Sequence, residues 1–455
     1  VPPPSRRRNE NLRALLAEAR WTQEALARTV NALAAEIDLD LNYDRTAVAH
    51  WLSGTRPAPP VPELIAEALT RRLGRAVSPA SAGLAGEPSA STGGRLPASG
   101  TPIGTALTEL CSMENDPARR ASARMLPYRE AELAKAAAGT ADRRPAPPVP
   151  RGEPDADGDL GVVRLAVQFY SASFDAHGGR RARSALAAYL ADDIAPLLRE
   201  QEGQEPRRGL LVEASRLSFL LARMYQDASV HGLAQRHFST ALQLADESGD
   251  ATARAVVLRG LSAQGLGLGH RRLALDAAEA AAATRVPDAP ARAFLLSQLA
   301  VSQAACGRHR AARESLGRAE RALAKGGRGG GAEPFTAYSR GSLEFQSAEV
   351  LRYTGDLPAA RVTLANSLAH RSDQDHRGMA LSYAQLAEIL MGLGHVEEAC
   401  ASWNSFLDHY VHLRSGAADL AAGRLRQLLT PFRNLPVATA VLHRAFAVSS
   451  PSPHS

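Results

Sequence analysis

The chain has 455 residues, a formal net charge of +6, and 45% apolar but only 5% aromatic residues, a balance that favours closely packed helices over sheets in two or three domains. Cys111, Cys306 and Cys400 lie far apart with no CxxC pair, which excludes a disulfide framework and a cysteine zinc site and suits a reducing cytosol. No apolar run reaches the ~18–20 residues of a membrane span. Two of the 53 basic residues are lysine, Lys135 and Lys325, and the rest are arginine. With so much alanine, this bias reads first as the mark of a GC-rich genome and only second as selection for phosphate.

The opening VPPPSRRR clusters Arg6, Arg7 and Arg8 and leads into a polar helix, not a secretory signal, so the expected location is cytoplasmic. Residues 1–80 hold 11 arginines against 9 acidic residues, too mild an excess to mark a nucleic-acid surface alone. Leu12, Leu15, Leu16 and Ala19 recur at helical spacing up to a break at Arg20–Trp21. Thr22 suits the N-cap of a second helix with Leu26 and Val30 inward and Gln23 exposed in its first turn. Asp44 caps a third helix in the same way. Val48, Trp51 and Leu52 form its inner face, leaving Arg45, Thr46, Ala47, Ala49 and His50 outward or at the edge. Gly54 ends it, and a fourth helix starts in PPVPELIAEALTRRLG with proline at its front.

These motifs are T-Q-E-x-L-A (Thr22–Ala27), R-T-x-V-x-x-W-L-x-G (Arg45–Gly54), the basic turn Thr55–Arg56–Pro57 and PELIAEAL (62–69). Together they resemble the Cro/phage-repressor class of helix-turn-helix, the xenobiotic-response-element class of bacteria. In place of that family's tight turn between helices two and three, NALAAEIDLDLNYD adds about a dozen residues. The resemblance implies that helix three enters the major groove with its N-terminal residues at base edges. Gln23 would then fix a phosphate and abut a base, Arg45, Thr46 and His50 would read edges, and Ala47 would touch a thymine methyl. Thr55 and Arg56 would hold the backbone. A guanidinium fork at Arg45 on guanine O6 and N7 is worth about 1–3 kcal/mol of discrimination.

Residues 1–77 thus read as a helix-turn-helix domain. Residues 78–161 read as a low-complexity linker, rich in Ser, Gly and Pro, with a short, weakly helical middle around TALTELCSM and REAELAKAAA. From 162 to 446 the pattern is helical almost throughout, and 447–455 reads as a disordered tail.

The long region repeats itself. A small residue is followed by Ala twelve on, usually a larger apolar residue four further, then usually a small one three further. Ala222, Ala234, Phe238 and Ala241 show it, as do Ala300, Ala312, Leu316 and Ala319, and Ala348, Ala360, Leu364 and Ser367. Ser262, Ala274, Ala278, Ala281 and Ala387, Ala399, Trp403, Phe406 are less regular. Successive units lie 40, 38, 48 and 39 residues apart, the longest gap holding the insertion KGGRGGGAEP (325–334). Small residues let two helices of a hairpin approach closely, while the larger one fills the groove toward the next pair. The pattern resembles tetratricopeptide repeats over roughly 213–415, with 425–446 as a capping helix pair. The expected fold is all-α: a helix-turn-helix bundle, flexible linkers and a tetratricopeptide-like α-solenoid. Extending the register places Arg216, Phe219, Arg223, Gln226, Arg259, Phe345, Glu349, Arg352 and Glu388 on its concave face. That face reads as a solvated charged surface before it reads as a ligand or partner site.

Catalytic signatures are missing. GLGLGH (265–270) follows no strand and reads as an inter-helix turn, and His409 and His412 read as a solvated pair without metal-ligand partners. No enzyme activity, cofactor or metal is expected. The order of a YDRTAVAHWLSGTRP-like domain, a Pro-rich spacer, ALAAYLADDIAPLLR (185–199) and HGLAQRHFSTALQLADESGD (231–250) resembles actinomycete regulators that join this helix-turn-helix to tetratricopeptide repeats. That resemblance implies a transcriptional regulator of differentiation, sporulation or secondary metabolism. Its partners would be double-stranded DNA, a peptide, small molecule or protein at the repeats, and a second copy in a homodimer. The competing reading is a tetratricopeptide scaffold whose front bundle binds protein rather than DNA.

Overall fold

A computed structural model describes residues 8–37, 39–75, 77–84, 101–139, 158–200, 207–325 and 338–449. Arg6, Arg7, the spacer residues 85–100 and 140–157, most of the 325–334 insertion and the tail from 450 lie outside the described residues. Among the described residues the chain is helical, with no strand.

The front unit holds α1 (Glu10–Ala19), α2 (Gln23–Ala35), α3 (Arg45–Leu52) and α4 (Val61–Leu73). Its ends are fixed by side chains that accept otherwise unpaired backbone N–H groups. Asn9 takes Leu12 N–H (3.0 Å), Thr22 takes Ala25 N–H (3.1 Å), and Asp44 takes Thr46 and Ala47 N–H (2.9 and 3.1 Å). The added residues between α2 and α3 form an extended run. Leu39, Leu41 and Tyr43 pack on the core while Asp40 and Asn42 face water. Asn31 clamps the run, donating to the Tyr43 carbonyl (2.9 Å) and accepting its N–H (3.0 Å). Tyr43 then meets Trp51 edge-on, ring centroids 5.1 Å apart.

This unit does not stop at 77. Residues 78–84 fold back, burying Ala82 and Leu84, and the Asn9 amide donates to the carbonyls of Ala82 (2.9 Å) and Gly83 (3.2 Å). Gly83 has φ +68 and lies so close that a Cβ would overlap the Asn9 side chain. Composition suggested a linker here because two apolar residues among Ser, Gly and Pro are a faint signal.

Nor is the middle segment a tether. α5 (Ile103–Asn115), α6 (Pro117–Arg124) and α7 (Glu130–Ala138) all pack on the body. Leu107, Leu110, Cys111 and Met113 share one core with α8 (Asp159–His177), α9 (Arg183–Tyr189), a π turn (Leu190–Ile194) and α10 (Ala195–Glu200). Helices this short are marginal alone, and tertiary burial stabilises them. Gly232 shows how tightly the segment seats, because a Cβ there would overlap the Leu126 carbonyl. Gly232→Ala is expected to destabilise the chain by about 1–3 kcal/mol, read as a shifted urea midpoint. An unchanged midpoint would show that the segment is not held there.

Six hairpins follow: α11 (Arg207–Asp227) with α12 (His231–Ser248), α13 (Ala251–Gly267) with α14 (Arg271–Ala283), and α15 (Ala289–Ala305) with α16 (His309–Lys325). Then come α17 (Arg340–Thr354) with α18 (Leu357–Ala369), α19 (His376–Gly392) with α20 (Val396–Tyr410), and α21 (Gly416–Leu429) with α22 (Pro436–Ser449). Every repeated position named above is buried except Leu316, which is partly so. Serines tie the helices of a hairpin where they touch. Ser215 donates to the Ala241 carbonyl (2.8 Å) and Ser262 to that of Ala274 (2.7 Å).

The stack curves until its first hairpin meets its fifth. α8 packs along α11 and also against α19. Asp227, wholly buried at the end of α11, accepts from Arg377 Nε (2.7 Å), Ser415 Oγ (2.9 Å) and Gly179 N–H (2.9 Å). Backbone bonds between Arg414 and the 177–180 loop complete the closure.

Arg71 on α4 joins the front unit to this body. It pairs with Glu36 through both oxygens (2.8 and 3.0 Å) and with Glu67 (3.0 Å), and donates to the Tyr128 carbonyl (3.1 Å). Burial opposes its charge, but the bonds from Glu36 and Glu67 outweigh that and hold it protonated. Nearby, Glu130 bonds His270 (2.8 Å), which stacks on Tyr128 with centroids 5.1 Å apart.

Candidate functional site

Two regions carry the polar chemistry, the outer side of α3 and the inner side of the hairpin stack. In α3, Val48, Trp51 and Leu52 face the core. That fixes the rotation of the helix and turns Arg45, Thr46 and His50 to solvent. Ala47 is half-buried against the core edge. Gln23 is exposed in the first turn of α2, Arg56 is exposed beyond α3, and Thr55 is half-buried with its N–H on the His50 carbonyl (3.0 Å). Gln23 stands eight residues before Asn31, which clamps the lead into α3, so it lies about 12 Å away along the helix axis.

The arginines of the front unit divide by use. Arg71 is the buried hub, Arg72 bonds the Ala19 carbonyl (2.9 Å), and Arg75 pairs with Glu18. Arg45 and Arg56 make no ion pair among the described residues. Asp44, beside Arg45, is spent on the cap: the N–H of Ala47, then Thr46, hold its carboxyl below the usual carboxylate range. Its support of α3 is therefore complete above the ordinary Asp pKa and is lost as pH falls through the lowered value.

On the inner side of the stack the structure sorts the nine concave candidates. Phe219 is not a contact residue: it is core, edge-on to Phe238 at 5.6 Å. Arg216 pairs with Glu213 (3.0 Å), Arg352 with Glu349 through two bonds of 2.9 Å, and Glu388 with Arg424 (2.5 Å). Gln385 also bonds Glu349. Phe345 lies 5.7 Å from the Arg371 guanidinium, and Gln226 is half-buried. Arg223 and Arg259 alone of the charged candidates lack a carboxylate among the described residues, and each sits over a ring: Phe174 at 5.1 Å and Phe294 at 4.1 Å.

Sequence reasoning missed Phe174, Phe294, Tyr338, Arg371 and Arg377, which share this region. Phe294 carried a usable signal, since it stands in the third unit where Arg216 stands in the first. The others lie outside the repeat register. The pair His409 and His412 is likewise more than a solvated pair. His376 joins it, with Nδ1 3.1 Å from His409 Nδ1 and its ring 4.7 Å from that of His412.

Residues 12–85 match the family model of the SP15 N-terminal domain. The match ends one residue beyond Leu84, the last described residue of the front unit, and takes in none of the hairpin stack. No curated protein matches the chain. Among the described residues, no helix is long and apolar enough to cross a membrane.

Proposed function

We propose that the chain is a DNA-binding transcriptional regulator of the helix-turn-helix and tetratricopeptide-like type, with α3 as the groove-reading helix. The observation that carries this reading is where the front arginines stand. Those of α4 bond within the fold, whereas Arg45 on α3, whose rotation the core sets, and Arg56 just beyond it are exposed and, like Arg20 and Arg28, make no ion pair among the described residues. Gln23 opens α2 and Arg45 opens α3, and both are exposed, as a phosphate contact and a base contact in this reading require.

In this reading the hairpin stack receives a ligand or partner. Arg71 reaches Glu130 of α7 (3.7 Å), which bonds His270 at the α13–α14 turn, and in this reading these contacts carry a shift of the turn to the front unit. In a homodimer on half-sites one helical turn apart, about 34 Å, such a shift would set the spacing of the two α3 helices.

Binding of the full chain to a mixed-sequence duplex tests the electrostatic part. With about four phosphates neutralised, affinity falls on the order of 100-fold between 50 and 200 mM salt. A flat salt response would favour the scaffold reading, in which the front unit binds protein.

A further inference from the structure

Arg259 is only 8% exposed, and its Nε has no hydrogen-bond partner among the described residues. Arg223, half-buried, makes no ion pair among the described residues either, though Asp175, Asp227 and Asp375 act on it at longer range. Burial pushes both guanidiniums down to about 10, helped at Arg223 by the charge of Arg377 and at Arg259 by that of Arg223. Removing a cation from water without a partner costs several kcal/mol, so buried charges are ordinarily paired.

The nearby acids are already engaged. Asp227 holds Arg377, Asp375 holds Arg371 (2.6 Å) and caps α19 through Gly378 N–H, and Glu349 holds Arg352. Asp175 remains: its charge favours protonated Arg223, but it makes no ion pair among the described residues, and desolvation, then the charge of Asp375, push its carboxyl up. The place is also in register. Arg259 occupies in the second hairpin the position of Phe219 in the first, Ser297 in the third and Phe345 in the fourth. Tyr338 donates to Ser297 Oγ (2.9 Å), adding a ring next to Phe294 at a centroid distance of 5.3 Å.

We propose that the inner face of the stack binds an organic oxyanion, a carboxylate or phosphate, between Arg223 and Arg259, with the rings of Phe294 and Tyr338 beside its body. The anion supplies the charge that the fold withholds, through charge-assisted hydrogen bonds from two forks. This rests on the reading that the stack receives a ligand, and it names the ligand's chemistry.

The test is thermal unfolding of the full chain in 150 mM NaCl with millimolar inorganic phosphate or citrate, without DNA. Each anion that binds raises the melting temperature, by about 2 °C or more at concentrations well above its Kd. The two arms separate phosphate from carboxylate. Arg259→Met and Arg223→Met are expected to melt no lower than the parent and to lose the shift, because they remove an unpaired buried charge. Arg259→Lys keeps part of the shift, and Arg285→Met, on an exposed arginine, keeps all of it. A shift that survives in both methionine variants, or no shift with either anion in the parent, overturns the proposal. As no DNA is present, that failure leaves the DNA-binding reading standing, and a chain that binds anions but no duplex would sink that reading alone.

Discussion

Arg45→Ala is expected to reduce affinity for the preferred duplex by about 5- to 150-fold, corresponding to the loss of one bidentate base contact of about 1–3 kcal/mol. Affinity for unrelated duplexes should change much less. The asymmetry follows from position. Arg45 opens α3 in the first turn, where a groove-bound helix meets base edges, and its side chain is exposed and makes no ion pair among the described residues. Arg56 follows the helix, where the expected contact is a phosphate. Arg56→Ala should therefore weaken all sequences alike and lower the salt slope by about one unit. Neither substitution touches the core, so both variants should unfold at the parent's urea midpoint. If the two lose affinity in parallel on every duplex, α3 holds the backbone without reading bases.

The largest stability effect is expected at Asp227. Asp227→Ala leaves Arg377 facing a vacated buried partner and removes the acceptor of Ser415 Oγ and Gly179 N–H. Breaking one side of a buried ion pair costs about 3–5 kcal/mol. Three segments separate at once: the loop after α8, the start of α19 and the start of α21. The loss should appear as a lower urea midpoint, with early exposure of Trp403, the fully buried tryptophan of the fifth hairpin. Replacing both partners, as Asp227→Leu with Arg377→Met, should recover much of the loss, because the desolvation of two charges is removed together. A single variant that unfolds like the parent would mean that backbone bonds and apolar packing alone close the stack.

Much of this architecture was legible in the chain. The caps at Thr22 and Asp44 and the inner face Val48–Trp51–Leu52 follow from local rules of helix ends and periodicity. The small residues twelve and nineteen apart marked the hairpin contacts because close helix approach tolerates little else, and the larger residue at the sixteenth place marked the groove toward the next pair. What escaped was long-range. Asp227 and Arg377 are 150 residues apart and belong to no common pattern, and α8 lies outside the repeats it touches. The Arg71 hub looked like one more basic residue at the end of a helix, where its charge would suit the dipole in any case. Residues 78–84 and 101–139 looked like linkers because short helices draw their stability from partners that composition does not reveal. The candidate face of the stack was readable by register, but which of its charges are paired depends on neighbours brought from other hairpins. Arg352 and Arg223 look alike in the sequence, and only one has its carboxylate.

Selection of bound duplexes from a random DNA library, run with the full chain and with Arg45→Ala, decides whether α3 reads bases. The parent should enrich a defined motif at moderate salt, and Arg45→Ala one degenerate at a single base pair per half-site. Recovery of no motif by the parent at any salt, or of the same motif at full stringency by both proteins, would contradict base reading by α3.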